Sequence, residues 1–388
     1  MRILICFCGE EWLYLPHIMR RIHQYIYQRK DWPNFVWQNN VLLSKLSEVR
    51  NKQGLLLGKM ESLGFPLREN AILNTLTLDV LKSTEIEGEF LNADQVRSSV
   101  ARRLGMEIAG LVPADRHVDG VVEMLLDATQ NYKKPLSKKR LLDWHAALFP
   151  TGRSGMHSII VANWRNDKNG PMQVVSGAMG KEKVHYQAPD AQLIDREIKQ
   201  FIKWFNEENQ LEPVIKSAIA HFWFITVHLF EDGNGRIARA IADMQLARAD
   251  GSNQRFYSMS AQIRLERNAY YEILENTQKG TVDITNWLLW FLDCLLGSLK
   301  ATEKTLASVL SRAKFWEQNV NMNFNERQRL MLTKLLDDFF GNLTTTKWAK
   351  ICKCSQDTAL RDIQNLLNKN ILKKEDAGGR STNYVLNL

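Results

Sequence analysis

Cysteine is scarce in this 388-residue chain: Cys6, Cys8, Cys294, Cys352 and Cys354 are too few and too unevenly placed for a disulfide framework. That excludes a disulfide-stapled secreted scaffold and points to a reducing, cytoplasmic compartment. Neither C-x-C pair has companion cysteines or histidines at zinc-finger spacing, so spectator thiols are expected rather than a metal site. Long apolar runs are missing too. Trp287–Leu296 is short and broken by Asp293, which suits a buried helix better than a membrane span. The apolar start, Met1 to Cys8, runs at once into Gly9-Glu10-Glu11 without a small-residue cleavage site, a poor signal peptide. Repeats and low-complexity tracts are absent. What remains is an ordinary globular composition, 45% hydrophobic and 24% charged, long enough for two or three cores, with a net charge of +8 that allows nucleotide or nucleic-acid partners without choosing between them.

Residues 1–18 fit no later pattern and are left unassigned, with Met19-Arg20-Arg21 as an alternative start. A helical N-terminal region, 19–110, follows. Leu42, Leu43, Leu46 and Val49 recur at helical spacing after the turn at Asp31-Trp32-Pro33, and a second helix from Asn70 should end at Gly88, placing Glu87 in its last turn. A carboxylate there faces the negative helix end, a mild penalty unless a cation is near. Asn92 with Gln95 reads as a capping box, and Ser137 as the cap of a helix through Leu148. Within a core assigned to 111–300, glycine-punctuated β-prone runs at Ser158–Ala162, Gln173–Ser176 and Lys183–Gln187 indicate a hairpin or flap in a mainly helical protein. Such a flap could pair an extended peptide along its edge or be a capped structural hairpin. Helices resume near Gln192, and Pro213 opens one that runs to His228.

The stretch His228-Leu229-Phe230-Glu231-Asp232-Gly233-Asn234-Gly235-Arg236-Ile237-Ala238-Arg239 carries the chemistry. Gly233-Asn234-Gly235 at the entry to a helix would leave backbone N–H groups and a positive helix end facing an anion. Arg236 and Arg239, three apart on one face, sit where cations are disfavoured, so something anionic should oppose them. Asp232 offers a hard oxygen ligand suited to Mg²⁺, and His228 can take a proton from a hydroxyl near neutral pH. Phe230 reads as the apolar anchor of the loop. A histidine ending one helix and arginines starting the next could simply satisfy caps and surface charge, but the whole constellation favours a phosphate site.

These residues resemble the Fic motif, HxFx[D/E]GNGRxxR, with Leu229 where the family usually has proline, a change in loop stiffness rather than chemistry. Trp32-Pro33-Asn34-Phe35 resembles the N-terminal extension of Fic proteins, and Val184-His185-Tyr186-Gln187-Ala188-Pro189 resembles their target-docking flap. The resemblance implies a mainly α fold, a Fic-type helical bundle with a small β-hairpin flap. It implies transfer of AMP from ATP, with Mg²⁺, to a hydroxyl side chain of a protein. His228 would be the base and Asp232 the metal ligand. Gly233, Asn234 and Gly235 would form the anion cradle, and Arg236 and Arg239 would bind the outer phosphates. Gly235, in place of the lysine of the phosphate-transferring branch, favours AMP transfer. Ser83-Thr84-Glu85-Ile86-Glu87-Gly88 is similar to the Fic inhibitory motif, [S/T]xxxE[G/N], which implies that Ser83, Glu87 and Gly88 form a brake in which Glu87 pairs with Arg239. Glu87 could instead orient a water that removes AMP from a modified target.

After a helical linker, 301–325, residues 326–388 read as a winged helix: helices at Leu343–Ala349 and Ser355–Leu367, then a hairpin tipped by Gly378-Gly379-Arg380. Eight basic against four acidic residues in 343–388 give this segment +4, half the net charge of the chain. DNA contact, protein contact and homodimer formation all suit such a unit. The competing overall reading is a nucleotide-sensing, DNA-binding regulator with a non-catalytic core. No membrane partner is expected.

Overall fold

A computed structural model of the chain describes residues 24–107, 110–177, 181–208, 210–336, 339, 342–375 and 382–387. The leader at 1–18, the alternative start at Met19, Cys6, Cys8 and the Gly378-Gly379-Arg380 tip lie outside the described residues. The chain divides into two compact units, one ending at Ala301 and the other spanning Thr302–Leu388.

The first unit is helical. It contains α1 (Asn39–Glu61), α2 (Phe65–Ile86), α3 (Ala93–Arg103), α4 (Arg116–Gln130) and α5 (Lys138–Leu148). Two short antiparallel pairs follow, β1 (Arg153–Ser154) with β2 (His157–Ser158), and β3 (Gln173–Ser176) with β4 (Lys183–Gln187). Next come α6 (Ile194–Asn206), α7 (Pro213–Val227), α8 (Asn234–Asp250), α9 (Met259–Leu265) and α10 (Arg267–Gln278). The last helix, α11 (Thr285–Gln318), contains the division at Ala301. The apolar run from Ile284 and the polar segment after Lys300 thus form one helix, because no proline or glycine pair breaks it before Gln318.

The centre is α7, buried along its whole length from Val214 to Val227, with α8 beside it buried from Ile237 to Ala247. A helix apolar on every side belongs inside a bundle, and the mean apolarity of α7 follows from Val214, Ile215, Ile219, Phe222, Phe224, Ile225 and Val227. Glu212 caps it by accepting from the N–H groups of Val214 and Ile215, and Pro213 occupies the first turn, where no donor is lost. Around it pack Trp32 and Phe35, edge-on to Trp223, and Trp287, whose indole donates to Ala218 O at 2.8 Å.

Several expected boundaries shift for local reasons. Helix α2 begins at Phe65 rather than Asn70. Asn92 accepts from the Gln95 N–H as an N-cap, but the Gln95 side chain accepts from Asp115 N instead of reaching back, so the box is half made. Ser158–Ala162 is not a strand beyond Ser158: Ala162 takes a left-handed φ of 54°. The flap pair β3–β4 does form, with a register shift between Val174 and Val175.

In the second unit, α12 (Glu326–Leu336), α13 (Thr345–Cys352) and α14 (Gln356–Asn368) precede an antiparallel pair, β5 (Leu372–Lys374) and β6 (Tyr384–Leu386). Thr344 and Ser355 cap α13 and α14, and left-handed Lys353 makes the turn between them. Trp348, Met331, Leu332, Ile363 and Leu366 form its core.

One close approach fixes how α4 meets α5. A Cβ on Gly120 would lie 1.8 Å from the Ala147 carbonyl oxygen, a backbone atom that cannot move aside cheaply. Gly120→Ala is therefore expected to lower stability by about 1–3 kcal/mol or more, read from thermal or urea unfolding. A midpoint equal to the parent's would show that the two helices are not held at this distance.

Candidate functional site

The motif loop joins the two most buried helices, so its ends are immobilised before any side chain is considered. His228 terminates α7 in a left-handed conformation, φ 53° and ψ 63°. Such a backbone costs a non-glycine residue roughly 1–2 kcal/mol and is tolerated where the surroundings over-determine it. Its Nδ1 lies 3.3 Å from Ile225 O. A carbonyl can only accept, so Nδ1 carries the hydrogen and Nε2 keeps the lone pair. Burial, aided by the Arg165 charge, lowers the His228 pKa to about 4. The ring is neutral at neutral pH and holds an available proton acceptor.

The rest of the loop is tied from inside. The Asn234 amide donates to Phe230 O at 2.7 Å and accepts from Phe230 N at 3.0 Å. Asn234, expected in the anion cradle, thus spends its side chain on closing the loop. Phe230 is fully buried and stacks on His145 at 4.0 Å. His145 accepts from Ala162 N and donates to Asp232 O, which requires a neutral ring; burial lowers its pKa to about 4. Ala162 bends left-handed where its N–H meets that ring. Arg165, 3% exposed, donates through Nε to His228 O and through Nη2 to Pro189 O, joining the loop to the base of the flap. Leu229 fits this interior without any exposed surface. Asp232 accepts from Ser154 Oγ and from Gly233 N.

Gly233 caps α8 with φ 84°, and a Cβ there would press on Phe149 at 2.9 Å. Gly235 is the more telling position. A Cβ on it would lie 2.2 Å from Glu87 Oε1 and 3.2 Å from Arg239 Nη1. The Glu87 carboxylate therefore rests on the first turn of α8, at its positive end, where the sequence predicts an anion. Arg239, 2% exposed, donates to Glu87 Oε1 at 2.8 Å, to Ser83 Oγ at 3.0 Å and to Ser83 O at 2.8 Å. Arg236, 1% exposed, donates to Glu89 at 2.6 Å and lies 3.7 Å from Asp232. Among the described residues, Arg239 Nη1 and Arg236 Nε are buried without a hydrogen-bond acceptor. These are the orphans an anionic ligand would satisfy.

A cavity of about 560 Å³ opens over this floor, lined by Glu87, His228, Asp232, Asn234 and Gly235, by His185 and Tyr186 of the flap, and by Tyr270 and Tyr271 of α10. Val184, 39% exposed, stands outside it. Tyr186 departs from the expectation of a docking residue: it is 2% exposed and its hydroxyl donates to Thr226 O at 2.6 Å. Strand alternation turns it inward, where it anchors the flap beneath Tyr25 and Tyr27. His185 is latched to Glu275 at 2.6 Å. Among the described residues no three His, Cys, Asp or Glu side chains cluster as a metal cage. Sequence reasoning missed His145, Ser154, Arg165 and Glu89. Of these only Glu89 lay beside a recognised segment.

Fold and site together define a mainly helical protein whose central helix pair is joined by an arginine-backed glycine loop. Residues 135–246, which contain the whole motif, match the Fic/DOC family, and the chain carries a domain of that family. Residues 25–106, which contain the Ser83–Gly88 segment, match a domain of unknown function, DUF4172. Over 111 residues the chain is 33% identical to "Protein adenylyltransferase Fic" of Drosophila yakuba and of Drosophila mojavensis. That stretch is 28% of this chain and spans only 19% of the length of those relatives. A Fic family protein from Desulfovibrio desulfuricans G20 superposes with a TM-score of 0.51 at 17% identity, covering 89% of this chain and 95% of that one, a likeness of fold.

The depressed His228 pKa, about 4 against 6.5 for the free side chain, sets a sign. The unfolded chain takes up this proton first, so the contribution to stability is full above pH 6.5 and is lost as pH falls toward 4. His228→Gln is expected to remove up to about 1.4 kcal/mol per pH unit from the acid limb of the stability curve. Urea unfolding between pH 4 and 7 measures it; an unchanged slope would mean that His228 takes up its proton at the same pH in the folded and the unfolded chain.

Proposed function

We propose that the chain is an autoinhibited protein AMP transferase. The observation that carries this reading is the Glu87 carboxylate lying on Gly235 and Arg239, in the place where a phosphate would meet the start of α8. A site that already attracts an internal anion, and has unsatisfied guanidinium nitrogens beside it, is chemically suited to a polyphosphate. Arg236, Arg239 and the Gly233–Gly235 backbone would hold the outer phosphates of ATP. Asp232 would hold Mg²⁺, which commonly takes one or two carboxylates and completes its shell with phosphate oxygens and water. Bound ATP supplies the adenylyl group, with pyrophosphate leaving.

The protein's own share is positioning and proton transfer. A Ser, Thr or Tyr hydroxyl, carried by an extended segment along the flap near Val184, would give its proton to His228 Nε2. That assistance is typically worth about 10²–10⁴ in rate. The fixed tautomer and the loop clamps at Asn234 and His145 keep Nε2 aimed without reorganisation. With α2 engaged, Glu87 competes for Arg239 and the reaction is held back.

Glu87→Gly should raise incorporation of label from ATP labelled at the α-phosphate, into the protein itself or a target, with none from γ-labelled ATP. His228→Ala in that background should abolish it. Label arriving from the γ-position would replace AMP transfer with phosphorylation, and no label from either would leave a non-catalytic nucleotide sensor as the better reading.

For the C-terminal unit we infer a winged-helix module that contacts protein. The exposed face of α14 presents Gln356, Asp357, Leu360, Arg361 and Gln364, a single cation beside a single acid and an apolar side chain, which offers little to a phosphate backbone. A full-length mobility-shift titration against duplex DNA should give no shift at physiological salt. A shift that weakens steeply as salt rises would assign the unit to DNA instead.

A further inference from the structure

The turn that ends α2 delivers two carboxylates to α8. Glu87 is the C-cap, and Gly88 follows with a left-handed φ of 88°. Gly88 N donates to Glu85 O and Glu89 N to Thr84 O, the paired bonds of a Schellman motif. This reversal brings the residues on either side of Gly88 against the same helix. Glu87 meets Arg239, and Glu89 meets Arg236 at 2.6 Å.

The second contact has its own surroundings. His117 of α4 lies 3.5 Å from the same Glu89 oxygen, while the His117 Nδ1 is held 3.2 Å from Leu148 O. Burial opposes the Glu89 charge, but His117 and Arg236 outweigh it and hold its carboxyl down at about 2. Arg236 is 1% exposed, and it also lies 3.7 Å from Asp232 and 5.0 Å from the Phe149 ring. An anion arriving at the start of α8 would have to compete with one carboxylate at each arginine. We propose that Glu89 is a second inhibitory carboxylate, independent of Glu87, which withholds Arg236 from the outer phosphates of a nucleotide. This rests on the nucleotide reading of the site given above.

The two carboxylates grip different arginines, so their effects should multiply. Calorimetric affinities for ATP and for AMP, which lacks the outer phosphates, are to be measured on the full-length parent, Glu87→Gly, Glu89→Gln and the double variant. Glutamine keeps the length and a hydrogen-bonding group while removing the charge. Glu89→Gln should tighten ATP roughly tenfold in both backgrounds, about the worth of one charge-assisted hydrogen bond, and leave AMP within about twofold. ATP affinity unchanged in both backgrounds would overturn the proposal, as would equal tightening of AMP. Should Glu89→Gln fail to fold by circular dichroism, Glu89→Asp, which keeps the charge but shortens its reach, carries the same comparison with a smaller expected gain, and no gain overturns the proposal. Absence of ATP binding in the double variant, where neither carboxylate remains, would instead remove the nucleotide reading itself.

Discussion

A buried cation at the wrong end of a helix is the constraint on which the first unit turns. Arg239 lies near the start of α8, where the backbone dipole disfavours positive charge, and it is almost fully desolvated. Glu87 caps the end of α2, where negative charge is disfavoured. Each is relieved by the other; the roughly 3–5 kcal/mol typical of removing one partner of a fully buried pair is an upper bound here, because the Glu87 side chain is 25% exposed while Arg239 is 2% exposed. The register of α2 on α8 follows. Asp79, Ser83 and Glu87 share one face of α2 at intervals of four, opposite Gly235, Arg239 and Asp243 at the same interval on α8. At the far end of this ladder burial, together with the neighbouring Asp79, raises the Asp243 pKa, while Arg255 donates to Asp243 at 2.6 Å.

The same electrostatics that close the site describe what it would accept. Without the carboxylate, Arg239 keeps its burial and its two bonds to Ser83 but loses its opposite charge. Affinity for an incoming anion and the strength of the Glu87–Arg239 pair are therefore two readings of one desolvated guanidinium.

Much of this arrangement was legible because it is local. Pro213, Ser137, Ser355 and Gly88 mark helix ends through single-residue backbone chemistry, and the motif spacing places Arg236 and Arg239 on one face whatever the tertiary structure. What escaped depends on contacts far apart in sequence. His145 stacks on Phe230 from 85 residues away and carries no motif of its own. Ser154 reaches Asp232 from a loop whose strands are two residues long. Tyr186 was misread because a two-stranded hairpin does not announce which face of its alternation is covered. Here Tyr25 and Tyr27, from before α1, cover it. Ser158–Ala162 has β-prone composition, yet the hydrogen bond from Ala162 N to His145 overrides it.

The anchors of the flap have a further consequence. Tyr186 is bonded to Thr226, two residues before His228 on the same buried helix, and His185 is latched to α10. The Thr226 hold lies away from α2, but α10 also grips the end of α2: Arg267 donates to Ile86 O at 2.6 Å and the Tyr271 hydroxyl lies 3.3 Å from the same oxygen. The edge of β4 is thus gauged against the imidazole like a jig bolted to the bench that carries the tool, and α10 is the bracket on which the flap and the Glu87 turn both lean.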